Sequence, residues 1–173
     1  RVTSIGSGTF WDCSDLTSIT IPDSVTEIGN CAFLNCSSLT SITIPDSVTK
    51  ISYRAFCGCY NLNSITIPDD VTSIGRDAFE DCYKMRFAII PKNLERQDIN
   101  YWTSKGINLQ QTTLITHDQF SNWVNNQKLS KTCTRHELAI LYLLQKDDNF
   151  TPSWPELGKL VSNLMMGDLL KVL

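Results

Sequence analysis

One motif recurs through the first half of this chain at a fixed interval of 23 residues. The segment that begins at Leu16 reads L-T-S-I-T-I-P-D-S-V-T-E-I-G, and it returns almost unchanged at Leu39 and at Leu62. A fourth, degraded copy begins at Met85, and residues 2–15 carry the end of an earlier copy. A period of this length is typical of solenoids, in which each repeat buries its apolar face against its neighbours.

Each copy predicts one short strand. After the leading leucine, isoleucines alternate with hydroxyl residues, and this period-two pattern sends the isoleucines inward and the hydroxyls outward. The following proline ends the strand, because it has no N–H to donate to the next ladder hydrogen bond. We therefore expect a parallel sheet of strands at residues 16–21, 39–44, 62–67 and 85–90.

Apolar residues also recur in the second part of each repeat. Val25, Ile28, Ala32 and Phe33 return in every full copy at near-helical spacing, which favours one or two irregular helical turns. One column contains only phenylalanine, and we expect its members to stack along the core: Phe10, Phe33, Phe56 and Phe79.

A second column contains four of the seven cysteines, Cys13, Cys36, Cys59 and Cys82. Stacked strands lie about 4.8 Å apart with parallel Cβ vectors, whereas a disulfide needs closer Cβ atoms that turn toward each other. We therefore expect these thiols to be reduced and buried, and to donate weakly to loop carbonyls.

The full pattern, I-x-I-P-x-x-V-x-x-I-x-x-x-A-F-x-x-C-x-x-L, resembles the BspA-type leucine-rich repeats of bacterial surface proteins over about residues 2–91. The resemblance implies a right-handed solenoid with a parallel sheet on its concave side, used for adhesion or protein recognition. It also implies a secreted or cell-surface location and no catalytic residues. The sequence begins at Arg1 without a signal peptide, so we expect an excised piece or a mature form.

Three parts follow from this reading. Residues 1–91 are the solenoid, residues 92–112 are a degenerate capping repeat and linker, and residues 113–173 are a helical domain that resembles no family known to us. In the capping repeat, Leu94 falls in the Val25 column and Trp102 in the Phe33 column, but Gln97 replaces isoleucine. The predicted fold class is therefore α/β: a leucine-rich-repeat solenoid with 23-residue repeats, then a small three-helix unit.

The helical part is expected to dock on the solenoid. Capping-box patterns at residues 116–119 and 134–137, with Pro155 in a first turn, predict the three helices. Such a short domain is marginal alone. Phe87 and Ile89 occupy outward columns that elsewhere hold serine and threonine, so this apolar edge needs a cover. The helices would provide it, and the alternative is a ligand-binding patch at that edge.

Several kinds of chemistry are disfavoured. Cys57-x-Cys59 and Cys133-x-x-His136 are half of a metal site at best, and no glycine-rich phosphate motif or nucleophile–base constellation is present. We therefore expect that the chain is not an enzyme and that it binds neither a metal ion nor a cofactor. A net charge of −3 does not suit a nucleic-acid binder, and no apolar run is long enough for membrane insertion.

The candidate binding face is the outer side of the sheet with its degenerate edge. Its residues are Ser18, Thr20, Ser41, Thr43, Ser64, Thr66, Arg86, Phe87 and Ile89. The rows of hydroxyl side chains are explained by the need for a soluble outer surface built from residues that favour β-strands. The alternative hypothesis is that these rows bind ice or carbohydrate. We expect a protein partner, such as a host or matrix protein, or a glycan. Alternatively, the repeats are a spacer, and the helical unit mediates oligomerisation or regulatory docking.

Overall fold

The computed structural model describes residues 1–127. The chain divides into two compact units, Arg1–His117 and Asp118–Leu173. All strands of the described residues belong to the first unit. The first predicted C-terminal helix is present as α2 (His117–Gln127), whereas the other two, from residue 134 onward, lie outside the described residues.

The predicted parallel sheet is confirmed, although its strands are shorter than expected. Strands β4 (Ser64–Thr66), β6 (Phe87–Ile90) and β7 (Thr113–Thr116) pair in that order. Single parallel bridges extend the sheet from Thr66 to Thr43 and then to Thr20. The ladder is looser there: Asn63 N donates to Thr40 O over 3.3 Å, whereas Arg86 N donates to Asn63 O over 2.9 Å. Longer hydrogen bonds explain why the first turns contribute only bridges.

A second parallel sheet replaces the expected helical turns. It consists of β1 (Ser4–Ile5), β2 (Glu27–Ile28), β3 (Lys50–Ile51) and β5 (Ser73–Ile74), each paired in register with the next. The prediction was therefore wrong for Ile28 and its equivalents, which are buried strand residues. A three-residue spacing over so short a segment arises equally from a turn followed by a strand.

In each repeat, the chain leaves this sheet through a turn that contains two residues in the left-handed backbone conformation. In the first column φ lies between 51° and 65°, and its members are Gly8, Cys31, Arg54 and Asp77. In the second column φ lies between 56° and 73°, and its members are Asp12, Asn35, Gly58 and Asp81. Most are glycine, asparagine or aspartate, the residues that tolerate this conformation best. Most of their N–H groups donate to the next turn, as from Gly8 N to Asn30 O over 2.9 Å. The turns are thereby hydrogen-bonded to one another on this side as well.

The phenylalanine column forms the stack that the sequence predicted. Ring centroids are 5.1 Å apart for Phe10 and Phe33, 5.2 Å for Phe33 and Phe56, and 5.7 Å for Phe56 and Phe79. Trp102 is the next member of the column and is buried. It lies in helix α1 (Ile99–Ser104), whose first turn is capped by the Asp98 carboxylate accepting from Tyr101 N.

The degenerate repeat keeps the Val25 column but loses the Ile28 column before the chain returns to the sheet. A short 3-10 helix (Lys92–Leu94) buries Leu94, and Gln97 is exposed. Strand β7 then pairs with β6 in the register Phe87↔Thr113, a step of 26 residues in place of 23. Residues 113–116, which the sequence analysis placed in the helical part, are therefore strand, and the first compact unit ends at His117. The three extra residues place β7 outside the 23-residue period, so the period does not predict this strand.

The cysteine column forms a ladder of thiols, and the described cysteines are all free. Cys36 Sγ donates to Phe10 O over 3.1 Å, and Cys59 and Cys82 donate to Phe33 O and Phe56 O over 3.3 Å. Burial raises the pKa of the Cys36 thiol to about 11 and raises that of the Cys82 thiol well above its ordinary value. Cys13 was expected to be buried but is exposed; it lies in the first of the turns that residues 1–127 form. Cys133 lies outside the described residues.

Candidate functional site

The hydroxyl rows of the predicted binding face are aligned across the first three turns of the sheet. Parallel bridges place Thr20 beside Thr43 and Thr43 beside Thr66. Ser18 and Ser41 lie two residues earlier, on the same side of the sheet. Thr20, Thr43 and Ser18 are exposed, and the other two are half-buried. We call these five residues, Ser18, Thr20, Ser41, Thr43 and Thr66, the hydroxyl face.

In the part of the chain that the structure describes, the hydroxyl groups of this face are not engaged in hydrogen bonds, unlike those of the threonines beside the second sheet. Directly before strands β2, β3 and β5, each threonine hydroxyl donates to the carbonyl of the preceding turn, as from Thr26 to Thr3 over 3.2 Å and from Thr49 to Thr26 over 3.3 Å. Within residues 1–127, the hydroxyl face makes no equivalent side-chain hydrogen bond. Its donors and acceptors are therefore available to a partner.

The predicted binding face is buried at its end beside strand β6. Strand pairing aligns Phe87 with Ser64 and Ile89 with Thr66, as the column analysis expected. Ser64, Phe87 and Ile89 are 7%, 0% and 1% exposed, so they offer no surface to a partner. Arg86 is exposed beside them. The expected packing of the C-terminal helices on this edge stays a prediction, because residues 128–173 lie outside the described part of the chain.

The side chain of His117 connects two segments at the end of the sheet. Its Nε2 lies 2.7 Å from the Ile67 carbonyl oxygen, and its Nδ1 lies 3.8 Å from Asp69 Oδ2. Since β6 lies between β4 and β7 in the sheet, this contact spans from the end of β7 to the turn after β4. The imidazole thus has a structural role, because it connects the carboxyl ends of β4 and β7.

Two tyrosines at the opposite rim, before the strands begin, were missed by the sequence analysis. Tyr60 and Tyr83 are 42% and 62% exposed, and their rings stack with centroids 5.5 Å apart. The Tyr83 hydroxyl donates to Asp81 Oδ1 over 2.6 Å, and this hydrogen bond raises the pKa of Tyr83 to about 12. Both tyrosines belong to the column of Ser14 and Ser37, so the 23-residue period could have placed them side by side.

Two further features of residues 1–127 concern metals and membranes. No group of three or more histidine, cysteine, aspartate or glutamate side chains in this part of the chain is arranged to hold a metal ion. Among the same residues, no helix combines the length and the apolar character that crossing a membrane requires.

Three crystal structures of leucine-rich-repeat proteins are similar to this chain. The protein from T. pallidum is 26% identical with a TM-score of 0.45, over 53% of each chain. A leucine rich cell surface protein from Faecalibacterium prausnitzii is 44% identical with a TM-score of 0.48, over 52% of this chain and 25% of that protein. The protein from Bacteroides capillosus is 28% identical with a TM-score of 0.43, over 68% and 64% of the two chains. This chain therefore covers less than two thirds of each of these proteins.

None of the curated proteins with which the chain was compared matches it. Residues 3–130, in contrast, match the family described as BspA type Leucine rich repeat region, in six copies. This match extends past the three nearly ideal repeats and includes the 26-residue step to β7. The chain belongs to the BspA-type leucine-rich-repeat family.

Proposed function

We propose that this chain is a non-enzymatic interaction module that binds a protein partner through the hydroxyl face. The observation that carries the proposal is the contrast between the hydroxyls of this face, which make no hydrogen bond within residues 1–127, and the hydrogen-bonded threonines beside the second sheet. The match to a repeat family, rather than to a catalytic one, supports a binding role. The proposed location is the cell surface or the secreted fraction, and the name of the F. prausnitzii cell surface protein supports the first of these.

The physical properties of the face suit recognition of another protein. Each hydroxyl both donates and accepts a hydrogen bond, so the rows can pair with backbone or side-chain groups of a partner. Parallel strands and the stacked core hold the rows in place, so little conformational entropy is lost on binding. The rows contain no large aromatic residue, and affinity would therefore come from many small contacts across several repeats.

A crosslinking experiment with the full chain tests this proposal. A photoreactive phenylalanine analogue is placed at position 43, on the hydroxyl face, and in a second variant at position 49. Thr49 is a matched control because it is also an exposed threonine but lies directly before strand β3 of the second sheet. After incubation with host matrix and secreted proteins, we expect a protein adduct from position 43 and much less from position 49.

A substitution then links the adduct to binding. Thr43→Arg places a bulky charge in the middle of the face and should abolish capture of that partner, whereas Thr49→Arg should not. Equal crosslinking from both positions, or capture that survives Thr43→Arg, would contradict the proposed role of the hydroxyl face.

A further inference from the structure

The tyrosine column of the rim ends at a recess. Tyr83 stacks on Tyr60 on one side, and no other ring in residues 1–127 stacks on Tyr83. In the register of β6 and β7, the position that follows Tyr83 in this column is Leu109, within the turn that is three residues longer than the others. This longer turn leaves a recess of about 180 Å³, and its walls include Tyr83, Asp81, Asn108 and Gln111.

A larger groove adjoins this recess. It has a volume of about 490 Å³, and Glu80 and Asn108 are among the residues that line both spaces. Its remaining walls are mostly apolar and come from α1 and the long turn, including Ile99 and Leu109. The recess and the groove together could accommodate a ligand longer than one ring.

The polar groups of the recess are held by hydrogen bonds. Gln111 Nε2 donates to Tyr83 O over 3.2 Å, and Asn108 Oδ1 accepts from Gln110 N over 3.0 Å. The Tyr83 hydroxyl is fixed on Asp81. These contacts leave lone pairs on the carboxylate and N–H groups on the amides, so the walls can both accept and donate. Such preorganised walls reduce the ordering cost of binding.

The chemistry of the walls selects among ligand classes. Neither space is lined by a lysine or arginine, and the acidic residue Glu80 is among the residues that line both, so an anionic ligand is disfavoured. Carboxylates and amides beside an exposed aromatic ring suit a compact, uncharged molecule that has an apolar ring face and a hydroxyl-rich edge. A pyranose has both of these surfaces.

We propose that this recess, between Tyr83 and the 106–112 turn, is a binding site for a neutral saccharide. The sugar ring packs against the Tyr83 ring and continues the column that begins at Tyr60. Its hydroxyls bond to the amides of Asn108 and Gln111 and to the carboxylates of Glu80 and Asp81. The site is separate from the hydroxyl face, and it does not depend on the protein-binding function proposed above.

Saturation-transfer NMR on the full chain tests the proposal. The probes are cellotetraose, maltotetraose and chitotriose, with tetragalacturonate as an acidic comparator. We expect ring-proton signals from at least one neutral probe and none from the acidic one. Signals from the acidic probe alone, or from no probe, would overturn the proposal.

Variants locate the binding. Tyr83→Ala should weaken the affinity for the neutral probe about tenfold or more, since it removes the stacking ring, whereas Tyr83→Phe should keep most of it. Tyr53→Ala is the matched control, because Tyr53 is 42% exposed but lies in another column. Glu80→Ala should also weaken binding. Because Glu80 is exposed, its replacement should leave the fold intact, and an unchanged thermal melt verifies this.

The two proposals give distinguishable results. Thr43→Arg should leave sugar binding intact. Unchanged sugar affinity in Tyr83→Ala, with a normal melt, would show that the sugar binds elsewhere and would overturn the site. Loss of protein capture in Tyr83→Ala without any sugar signal would assign the recess to a protein side chain and would equally overturn it.

Discussion

At the scale of single residues, the thiol ladder shows what a repeated column does to side-chain chemistry. Each buried sulfur donates to a phenylalanine carbonyl 26 residues earlier, from Cys36 to Phe10, from Cys59 to Phe33 and from Cys82 to Phe56. A neutral thiol can make this contact in an apolar interior, but a thiolate cannot donate and would be poorly solvated. Burial therefore raises the pKa values and makes these cysteines structural rather than reactive.

We predict a wide range of alkylation rates among the cysteines of the folded protein. With iodoacetamide at about pH 8, exposed Cys13 should react first, Cys36 slowly, and buried Cys59 and Cys82 only after unfolding. Mass spectrometry of the alkylated, non-reduced peptides measures the order. Reaction of Cys82 as fast as Cys13, or a disulfide between any two members of the column, would show that the ladder is wrong.

At the scale of the element, strand β6 is where the repeat changes from a hydroxyl surface to a buried one. It pairs with β4 on one side and β7 on the other, and all four of its side chains are buried. Because Phe87 takes the place of a serine in the same column, the change is visible in the sequence. Its consequence is that the available hydroxyl face ends before this strand.

We predict that Phe87→Ser lowers the free energy of unfolding by about 3–5 kcal/mol, since it empties a fully buried aromatic site and leaves a hydroxyl there. Arg86→Ser is the control, because Arg86 is the exposed neighbour and should change stability by less than about 0.5 kcal/mol. Urea denaturation measures both values. Similar values for the two variants would contradict the burial of β6.

The second sheet carries a cross-strand ion pair whose pH dependence can be measured. Lys50 Nζ lies 2.8 Å from Glu27 Oε1, between residues that face each other in β2 and β3. The hydrogen bond from Lys50 lowers the pKa of Glu27, so the stabilisation is present above the usual glutamate pKa and is lost as the pH falls through the lowered one. Both side chains are partly exposed, and salt should weaken the pair.

We predict that Lys50→Met moves the pKa of Glu27 upward toward its ordinary value. Carboxyl-carbon NMR titration measures this directly, and Lys84→Met is the control because Lys84 is exposed in another part of the repeat. An unchanged Glu27 titration in Lys50→Met would show that the pair does not persist in solution.

At the scale of the whole molecule, stability depends on how many neighbours each turn has. Phe56 is fully buried between Phe33 and Phe79, whereas Phe10 is half-buried and, among residues 1–127, stacks on Phe33 alone. In a solenoid, each repeat contacts mainly its two neighbours, so a residue in an interior turn loses more contacts on truncation than one in a terminal turn.

We therefore predict that Phe56→Ala costs about 3–5 kcal/mol and that Phe10→Ala costs clearly less in this chain. Equilibrium unfolding of the two variants, monitored by circular dichroism, gives the comparison. Equal costs would indicate that stacking along the axis contributes little to stability.

Much of this architecture was determined by the sequence alone. When one repeat is translated onto the next, the same residue types meet, so Thr20 had to lie near Thr43, Phe33 near Phe56, and Cys59 near Cys82. The family, the main parallel sheet, the phenylalanine stack and the thiol contacts were predictable for this reason. A period is a long-range signal, because it states which distant residues are neighbours.

Only the tertiary structure decided what the period does not encode. The second sheet depends on hydrogen bonds between turns, which a local spacing of apolar residues cannot distinguish from helical turns. The pairing of β7 with β6, the contact of His117 with Ile67 and the recess beside Tyr83 arise where the period is broken. Where the repeat is regular, each neighbour is specified by the same letters 23 residues away. Where it is interrupted, packing between non-equivalent residues selects the partners, and that selection is a property of the folded chain.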